Sequence, residues 1–304
     1  MEAALYDPDG GYYKRSDLKR WGREGDYRTS PERSELFAAT FARYFAKLYD
    51  ELQRPADWTI VEVGPGAGHF SRVFETTRYV PVETNEELER LPPIKAGIVF
   101  SNELLDAFPV HRLIQTENGL AEFYVGVESE RFVWTMGPLS TPKLAEFHHS
   151  LVTEQIVEVN LEIESWLASV ATKLETGYLI TVDYGAQSRD LYDAALRPEG
   201  TLRAFSRHQF VDDVLAQPGD YDITSSVNWT QVQSLSSRLG FTTVEFAPQD
   251  RFLIDAGLLQ ELERAMNSAT SEADKLTLST GARDMILPGG MGSSFQVLVQ
   301  KKGI

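Results

Sequence analysis

The segment Glu62-Val63-Gly64-Pro65-Gly66-Ala67-Gly68-His69 sets an acid two residues ahead of three alternating glycines. Glycine reaches backbone conformations closed to other residues and lets the chain approach a ligand closely. A β-branched run, WTIVEV, precedes the loop, and a helix is expected over 69–76 after it. That context reads as a nucleotide site at the carboxyl edge of a sheet. A dinucleotide fingerprint needs Gly or Ala where His69 stands, and the Gly-Lys-Ser/Thr of a P-loop does not follow. Glu62 instead suits an ammonium-bearing amino acid moiety, and Glu83, 19 residues past Gly64, suits two ribose hydroxyls. These features favour S-adenosylmethionine over a dinucleotide, with a purely structural glycine turn as the competing reading. The candidate cofactor residues are Glu62, Gly64, Pro65, Gly66, Gly68, Glu83 and Asn102.

A second constellation, Ser101-Asn102-Glu103-Leu104-Leu105-Asp106-Ala107-Phe108-Pro109-Val110, follows the apolar run KAGIVFS. Polar groups at the carboxyl end of a strand in an open α/β sheet face the ligand crevice. Asn102, Glu103 and Asp106 are therefore the candidates for catalysis. The plainer reading has Glu103 capping a helix and Asp106 solvated. Asp183-Tyr184 ends another run, GYLITVD, and either lines an acceptor pocket or caps a turn. No metal site is expected, because the neighbours His148 and His149 point apart on a helix. No G-x-S-x-G elbow exists, which disfavours a hydrolase.

The elements that must hold these residues follow from hydrophobic periodicity. Pro31 and Glu32 open a helix whose face is Phe37, Phe41, Phe45, Leu48 and Leu52. Strands are expected at 58–63, 79–83, 95–101 and 177–183, alternating with helices in a mostly parallel sheet covered on both faces. Residues 111–137 break the alternation: Asn118-Gly119 turns a hairpin between HRLIQ and AEFYVGV, with RFVWTM as a third antiparallel strand. Residues 142–175 read as helical, and TTVEFA and SSFQVLVQKK as closing strands around helical material, the last of them antiparallel.

With 304 residues and 42% apolar content the chain can bury a large core, and without cysteine it has no disulfide, thiolate metal site or cysteine nucleophile. A net charge of −16 argues against nonspecific nucleic-acid binding, which rests on Lys and Arg. No apolar run reaches the roughly 18 residues of a membrane span, and the acidic first residues resemble neither a secretory signal nor a transit peptide. A cytoplasmic location is the expectation.

Dispersed blocks in order extend the pattern. They include Ala4-Leu5-Tyr6-Asp7-Pro8, Gly11-Tyr12-Tyr13, Gly25-Asp26-Tyr27-Arg28-Thr29-Ser30-Pro31-Glu32, the glycine loop and SNELLDAFPVHR. Val182-Asp183-Tyr184-Gly185, Gly200-Thr201-Leu202-Arg203-Ala204-Phe205 with His208, Asp222-Ile223-Thr224 and Phe295-Gln296-Val297-Leu298 follow. Over nearly its full length the chain resembles the MidA group of S-adenosylmethionine-dependent methyltransferases, which includes a mitochondrial protein arginine methyltransferase. It departs from that group in having only TNEELERLPPIKAG between the ribose strand and the SNE strand, and Ser226 and Asn228 around Val227. Either an edge strand is missing, or 79–83 is the later strand and the unit before it is deleted; adenine recognition stays open.

The resemblance implies an α/β fold: a Rossmann-like class I methyltransferase sheet with an N-terminal leader and helix cap and an α+β insert after the SNE strand. The expected division is a leader and cap helix over 1–57, a methyltransferase core over 58–110 and 176–304, and a dependent insert over 111–175. The implied cofactor is S-adenosylmethionine, with S-adenosylhomocysteine as product. The implied partner is a protein carrying the methyl-accepting arginine, gripped by Glu103 and Asp106, with Asp26, Glu32, Asp183, Tyr184 and His208 on the substrate side. A small-molecule O- or N-methyltransferase and a non-catalytic assembly factor on the same scaffold are the alternatives.

Overall fold

The computed structural model describes residues 1–18, 35–74, 78–206, 209–287 and 294–304. In chain order the helices are α1 (Glu2–Tyr6), α2 (Glu35–Glu51), α3 (Asn85–Arg90), α4 (Glu162–Lys173), α5 (Ser188–Leu191), α6 (Trp229–Arg238), α7 (Gln249–Ala256), α8 (Leu258–Ser268) and α9 (Glu272–Ile286). The strands are β1 (Trp58–Val63), β2 (Arg78–Val82), β3 (Ala96–Asn102), β4 (His111–Thr116), β5 (Gly119–Glu128), β6 (Arg131–Gly137) and β7 (Ile156–Val159). They continue with β8 (Gly177–Ala186), β9 (Arg203–Ser206), β10 (Gln209–Val211), β11 (Asp222–Thr224), β12 (Val227–Asn228), β13 (Thr242–Pro248) and β14 (Phe295–Lys302).

By contact the chain forms two units. One comprises Thr29–Leu104, Ser165–Gly185 and Gln233–Ile304. Its mixed sheet runs β13-β14-β8-β3-β1-β2, with β2, β1, β3 and β8 parallel and β14 antiparallel to both its neighbours. Every residue of β1 and β3 is buried, as expected of strands covered on both faces. On one face α2 lays down Phe37, Phe41, Phe45 and Leu48, and α7, α8 and α9 pack against it. Phe41 is the hub, with ring centroids 4.8 Å from Phe37, 5.2 Å from Phe100 and 5.4 Å from Phe252. The expected apolar face is thus buried in the core, except that Leu52 lies past the helix end and is half-buried. The start of that helix at Pro31 lies outside the described residues.

β2 pairs directly with β1 and is the last strand on that side. After the glycine loop the helix expected over 69–76 is instead a five-residue 3-10 turn, His69–Val73. The reason lies in the chain: Gly68 enters it left-handed, and the Ser71 hydroxyl turns back 2.7 Å to the Gly68 carbonyl.

The second unit comprises Met1–Arg28, Leu105–Glu164 and Ala186–Val232. It holds an antiparallel sheet of order β6-β5-β4-β7 and a smaller one of order β10-β9-β11. The expected hairpin forms one residue early, with Thr116 opposite Gly119. The reading of 142–175 as wholly helical is corrected. After a 3-10 stretch, Pro142–Ser150, β7 adds to the free edge of β4 and buries Val157 and Val159 against Leu113 and Leu144. Only α4 is an α-helix there. Leu5 and Tyr12 of the N-terminal stretch form a core with Ala204 and Ile223.

Candidate active site

Four parallel strands of the first unit end along one sheet edge, and each carries a candidate residue there. Val63 lies opposite both Val82 and Ser101, and Asn102 lies opposite Val182. Glu62, Glu83, Asn102 with Glu103, and Asp183 with Tyr184 therefore come to one edge because the strands share a register, although the sequence spreads them over 123 positions.

Glu62 is buried at 4% exposure within β1. The Tyr79 hydroxyl donates to its carboxylate, since two-residue alternation puts Ile60, Glu62 and the Tyr79 opposite Ile60 on one face. Burial pushes the Glu62 carboxyl up to about 7; Glu83 adds to the rise and the Tyr79 hydrogen bond opposes it. Burial, Glu62 and Glu83 hold the Tyr79 phenol far above its ordinary range. Sequence reading missed Tyr79, although strand parity with Ile60 was the signal available for it.

Gly64, Gly66 and Gly68 all take left-handed φ values of 70°, 54° and 70°. The Gly64 N–H donates to the Val82 carbonyl at 2.8 Å, and a Cβ on Gly64 would meet Leu104 Cδ1 at 3.0 Å. Pro65 joins the turn through its carbonyl, which accepts from Gly68 N–H at 2.9 Å. Beyond β2, Glu83 is exposed, and its N–H donates 2.7 Å to Glu87 Oε2 while Thr84 caps α3.

Asn102 is 9% exposed; its Nδ2 donates to Glu103 Oε1 at 3.0 Å, and its Oδ1 is buried without a hydrogen-bond partner among the described residues. Glu103 stands at φ 53°, a left-handed conformation unusual for a side chain with a Cβ. Asp183 is fully buried and accepts from the N–H of Leu104 at 3.2 Å and of Tyr184 at 2.9 Å. The Tyr184 ring meets Phe295 edge-on at 5.4 Å.

Asp106 belongs to the other unit and is 5% exposed, which overturns its solvated reading. Its carbonyl accepts from Ser225 N–H at 3.0 Å. Nearby, Tyr6 donates to the Ala107 carbonyl at 3.0 Å and Tyr13 to Asp222 Oδ1 at 2.7 Å. Burial, then the charges of Asp106 and Asp222, raise the Tyr6 phenol. Asp26, Glu32 and His208 lie outside the described residues, as do the side chains of His148 and His149. Asn228, one of the departures near Val227, accepts from Gln231 N–H at 3.1 Å and donates to Tyr192 Oη at 3.1 Å.

A cofactor with an adenosyl group and an amino acid tail fits this edge. Three left-handed glycines leave the backbone bare, a buried carboxylate has no cation beside it among the described residues, and a buried amide oxygen lacks a donor. Among the described residues no cluster of His, Asp and Glu could hold a metal ion, and no helix is long and apolar enough to cross a membrane.

The comparisons with known proteins agree. A family model of S-adenosyl-L-methionine-dependent methyltransferases matches residues 73–247. The Drosophila melanogaster protein arginine methyltransferase NDUFAF7 homolog, mitochondrial, is 23% identical over 100% of this chain and 80% of its own length. The Homo sapiens protein arginine methyltransferase NDUFAF7, mitochondrial, is 24% identical over 97% of this chain and 77% of its length. Among solved structures, a Burkholderia thailandensis protein bound to S-adenosyl-homocysteine superposes with a TM-score of 0.88. It is 25% identical and is covered over 87% of its length by 100% of this chain. The chain belongs to the S-adenosyl-L-methionine-dependent methyltransferase family, and it is an enzyme that uses that cofactor.

Proposed function

We propose that the protein methylates an arginine guanidinium of a protein substrate. The observation that carries this reading is the carboxylate of Glu103, presented at the sheet edge from a left-handed residue beside Asn102. The names of the relatives support it. When bound, S-adenosylmethionine supplies a methyl group on a sulfonium, open to in-line displacement.

Glu62, Gly64, Pro65, Gly66, Gly68, Glu83 and Asn102 would hold that cofactor. The carboxylate of Glu103 would grip the guanidinium fork, which presents five donors and no acceptor. An arginine nitrogen is a poor nucleophile while its group is protonated. The acid would draw the positive charge to the nitrogen it holds, leaving a lone pair on the other terminal nitrogen for the in-line displacement, and Glu103 would take the proton released as that nitrogen is alkylated. Tyr184, at the same sheet edge, would stand on the substrate side. Asn228 serves as a helix cap and a partner of Tyr192, so its departure from the group does not argue for a small-molecule acceptor.

Incubation with methyl-labelled S-adenosylmethionine and arginine-bearing proteins, followed by mass spectrometry, tests the acceptor. Label on arginine is expected; label found only on small amines or hydroxyls would replace the protein acceptor by a small molecule. Glu103→Gln is expected to abolish transfer, by about a hundredfold or more, while S-adenosylhomocysteine still binds. An active Glu103→Gln enzyme would remove the residue from this role.

A further inference from the structure

We propose that Asp183 and Glu103 are positioning residues that present the amide oxygen of Asn102 to a nitrogen donor of the bound ligand. The inference rests on methyl transfer as the activity and is independent of arginine as the acceptor.

The Asn102 amide has one engaged end and one unengaged end. Its Nδ2 donates to Glu103 Oε1 at 3.0 Å, and its Oδ1 is buried without a donor among the described residues. A carboxylate only accepts, so flipping the amide would set oxygen against oxygen; Glu103 therefore fixes which end faces the ligand. Leaving a buried amide oxygen unsatisfied is costly, and native proteins seldom do so without a functional reason.

Glu103 is itself held. Its φ of 53° is sparsely populated, its N–H donates to the Val182 carbonyl at 2.9 Å, and the next N–H, that of Leu104, donates to Asp183 Oδ2 at 3.2 Å. Asp183 is fully buried and its other oxygen accepts from Tyr184 N–H at 2.9 Å, so its carboxylate faces the backbone of the loop. This gives it the work of holding the loop. Such strained residues persist where their surroundings over-determine them, and they gather at ligand clamps.

The register says what the oxygen faces. Ser101 lies opposite Val63, so Asn102 stands level with Gly64, and alternation puts it on the same sheet face as Phe100 and Glu62. A buried carboxylate and a buried amide oxygen on one face of adjacent strands select an N–H donor, and a cationic one best. Two ligand groups offer such a donor: the ammonium of the cofactor's amino acid tail, and a nitrogen of the methyl acceptor at the point of transfer.

Calorimetric titration of the full chain with three probes separates these sources. S-adenosylhomocysteine carries the tail ammonium, sinefungin adds an amine in place of the transferable methyl, and 5′-methylthioadenosine lacks the tail. Asn102→Leu is expected to weaken S-adenosylhomocysteine and sinefungin alike by about tenfold if the donor is the ammonium. If the donor lies at the methyl position, sinefungin alone weakens; in both cases 5′-methylthioadenosine is unchanged. Asn102→Asp, which keeps an oxygen in place, retains affinity within about threefold of wild type by the same reasoning. Asp183→Asn should reproduce the ligand-selective loss in milder form, and it serves as the readout should Asn102→Leu melt early. Binding of all three probes within twofold of wild type, or equal loss of all three, overturns the proposal. A wild-type chain that binds none of them overturns the cofactor site and this inference with it, whereas failure to methylate arginine leaves it standing.

Discussion

The Tyr79 hydroxyl donates to the Glu62 carboxylate, joining neighbouring parallel strands directly beneath the glycine loop. The pair places a phenol that stays protonated against an acid that ionises near neutral pH. Such an acid can meet a cation only after losing its proton, so the relationship links cofactor binding to pH.

S-adenosylhomocysteine affinity is therefore expected to rise as pH increases through about 7, the value to which burial lifts Glu62. Binding of 5′-methylthioadenosine, which has no ammonium, should stay flat. Stability runs the other way. Between the ordinary carboxyl value of 4.5 and about 7 the folded chain keeps a proton that the unfolded chain has released. The unfolding free energy contributed by Glu62 therefore falls as pH rises across that window. Glu62→Gln should flatten both profiles, measured by calorimetry and by melting temperature against pH. Tyr79→Phe should move the binding midpoint upward, because the phenol's hydrogen bond holds the acid down.

Gly64→Ala combines a left-handed φ of 70° with a Cβ 3.0 Å from Leu104 Cδ1. A cost of about 1–2 kcal/mol is expected from the conformation alone. Because Leu104 adjoins Glu103, the contact should also weaken S-adenosylhomocysteine binding. Chemical denaturation and calorimetry on the same variant check both effects.

Phe41→Ala should be the most damaging single truncation of the α2 face. The ring is fully buried among five other phenylalanines, Phe37, Phe45, Phe70, Phe100 and Phe252. A loss of about 3–5 kcal/mol is expected, read from the denaturation midpoint; a loss below about 1 kcal/mol would mean the core closes over the void.

Arg112→Ala tests the second unit. The guanidinium lies 4.9 Å from the Trp134 ring centroid and 5.6 Å from that of Phe123, and its Nε is 3.4 Å from Glu158 Oε1. Burial already raises Glu158, and Arg112 opposes the rise. Removing the arginine leaves a buried acid without its cation, a change expected to destabilise by about 3–5 kcal/mol. Arg112→Lys keeps the charge but not the stacked plane and should fall between. Glu158 should titrate higher still in the alanine variant, which carboxyl-labelled NMR would read.

Much of the sheet was legible in the chain because local patterns wrote it. WTIVEV and AGIVFS are apolar without alternation, as strands buried on both faces must be, and both form as expected. The steps between Phe37, Phe41, Phe45 and Leu48 could only be a helix face, and the glycines marked a turn closed to other residues, which the fold makes left-handed. The rest depended on neighbours distant in sequence. Ile156–Val159 is too short to declare itself and becomes a strand because β4 offers it a free edge. The segment after Gly68 tightens to a 3-10 turn because a hydroxyl bonds back into it. Asp183 could equally have faced a ligand or a backbone by sequence; its partner, Leu104, is 79 residues away and was brought to it by the parallel register of β3 and β8. Residue type and spacing determined which chemistry the chain can host. Only the tertiary pairing decided which oxygen faces which donor, because a hydrogen bond depends on ångströms that the order of residues does not contain.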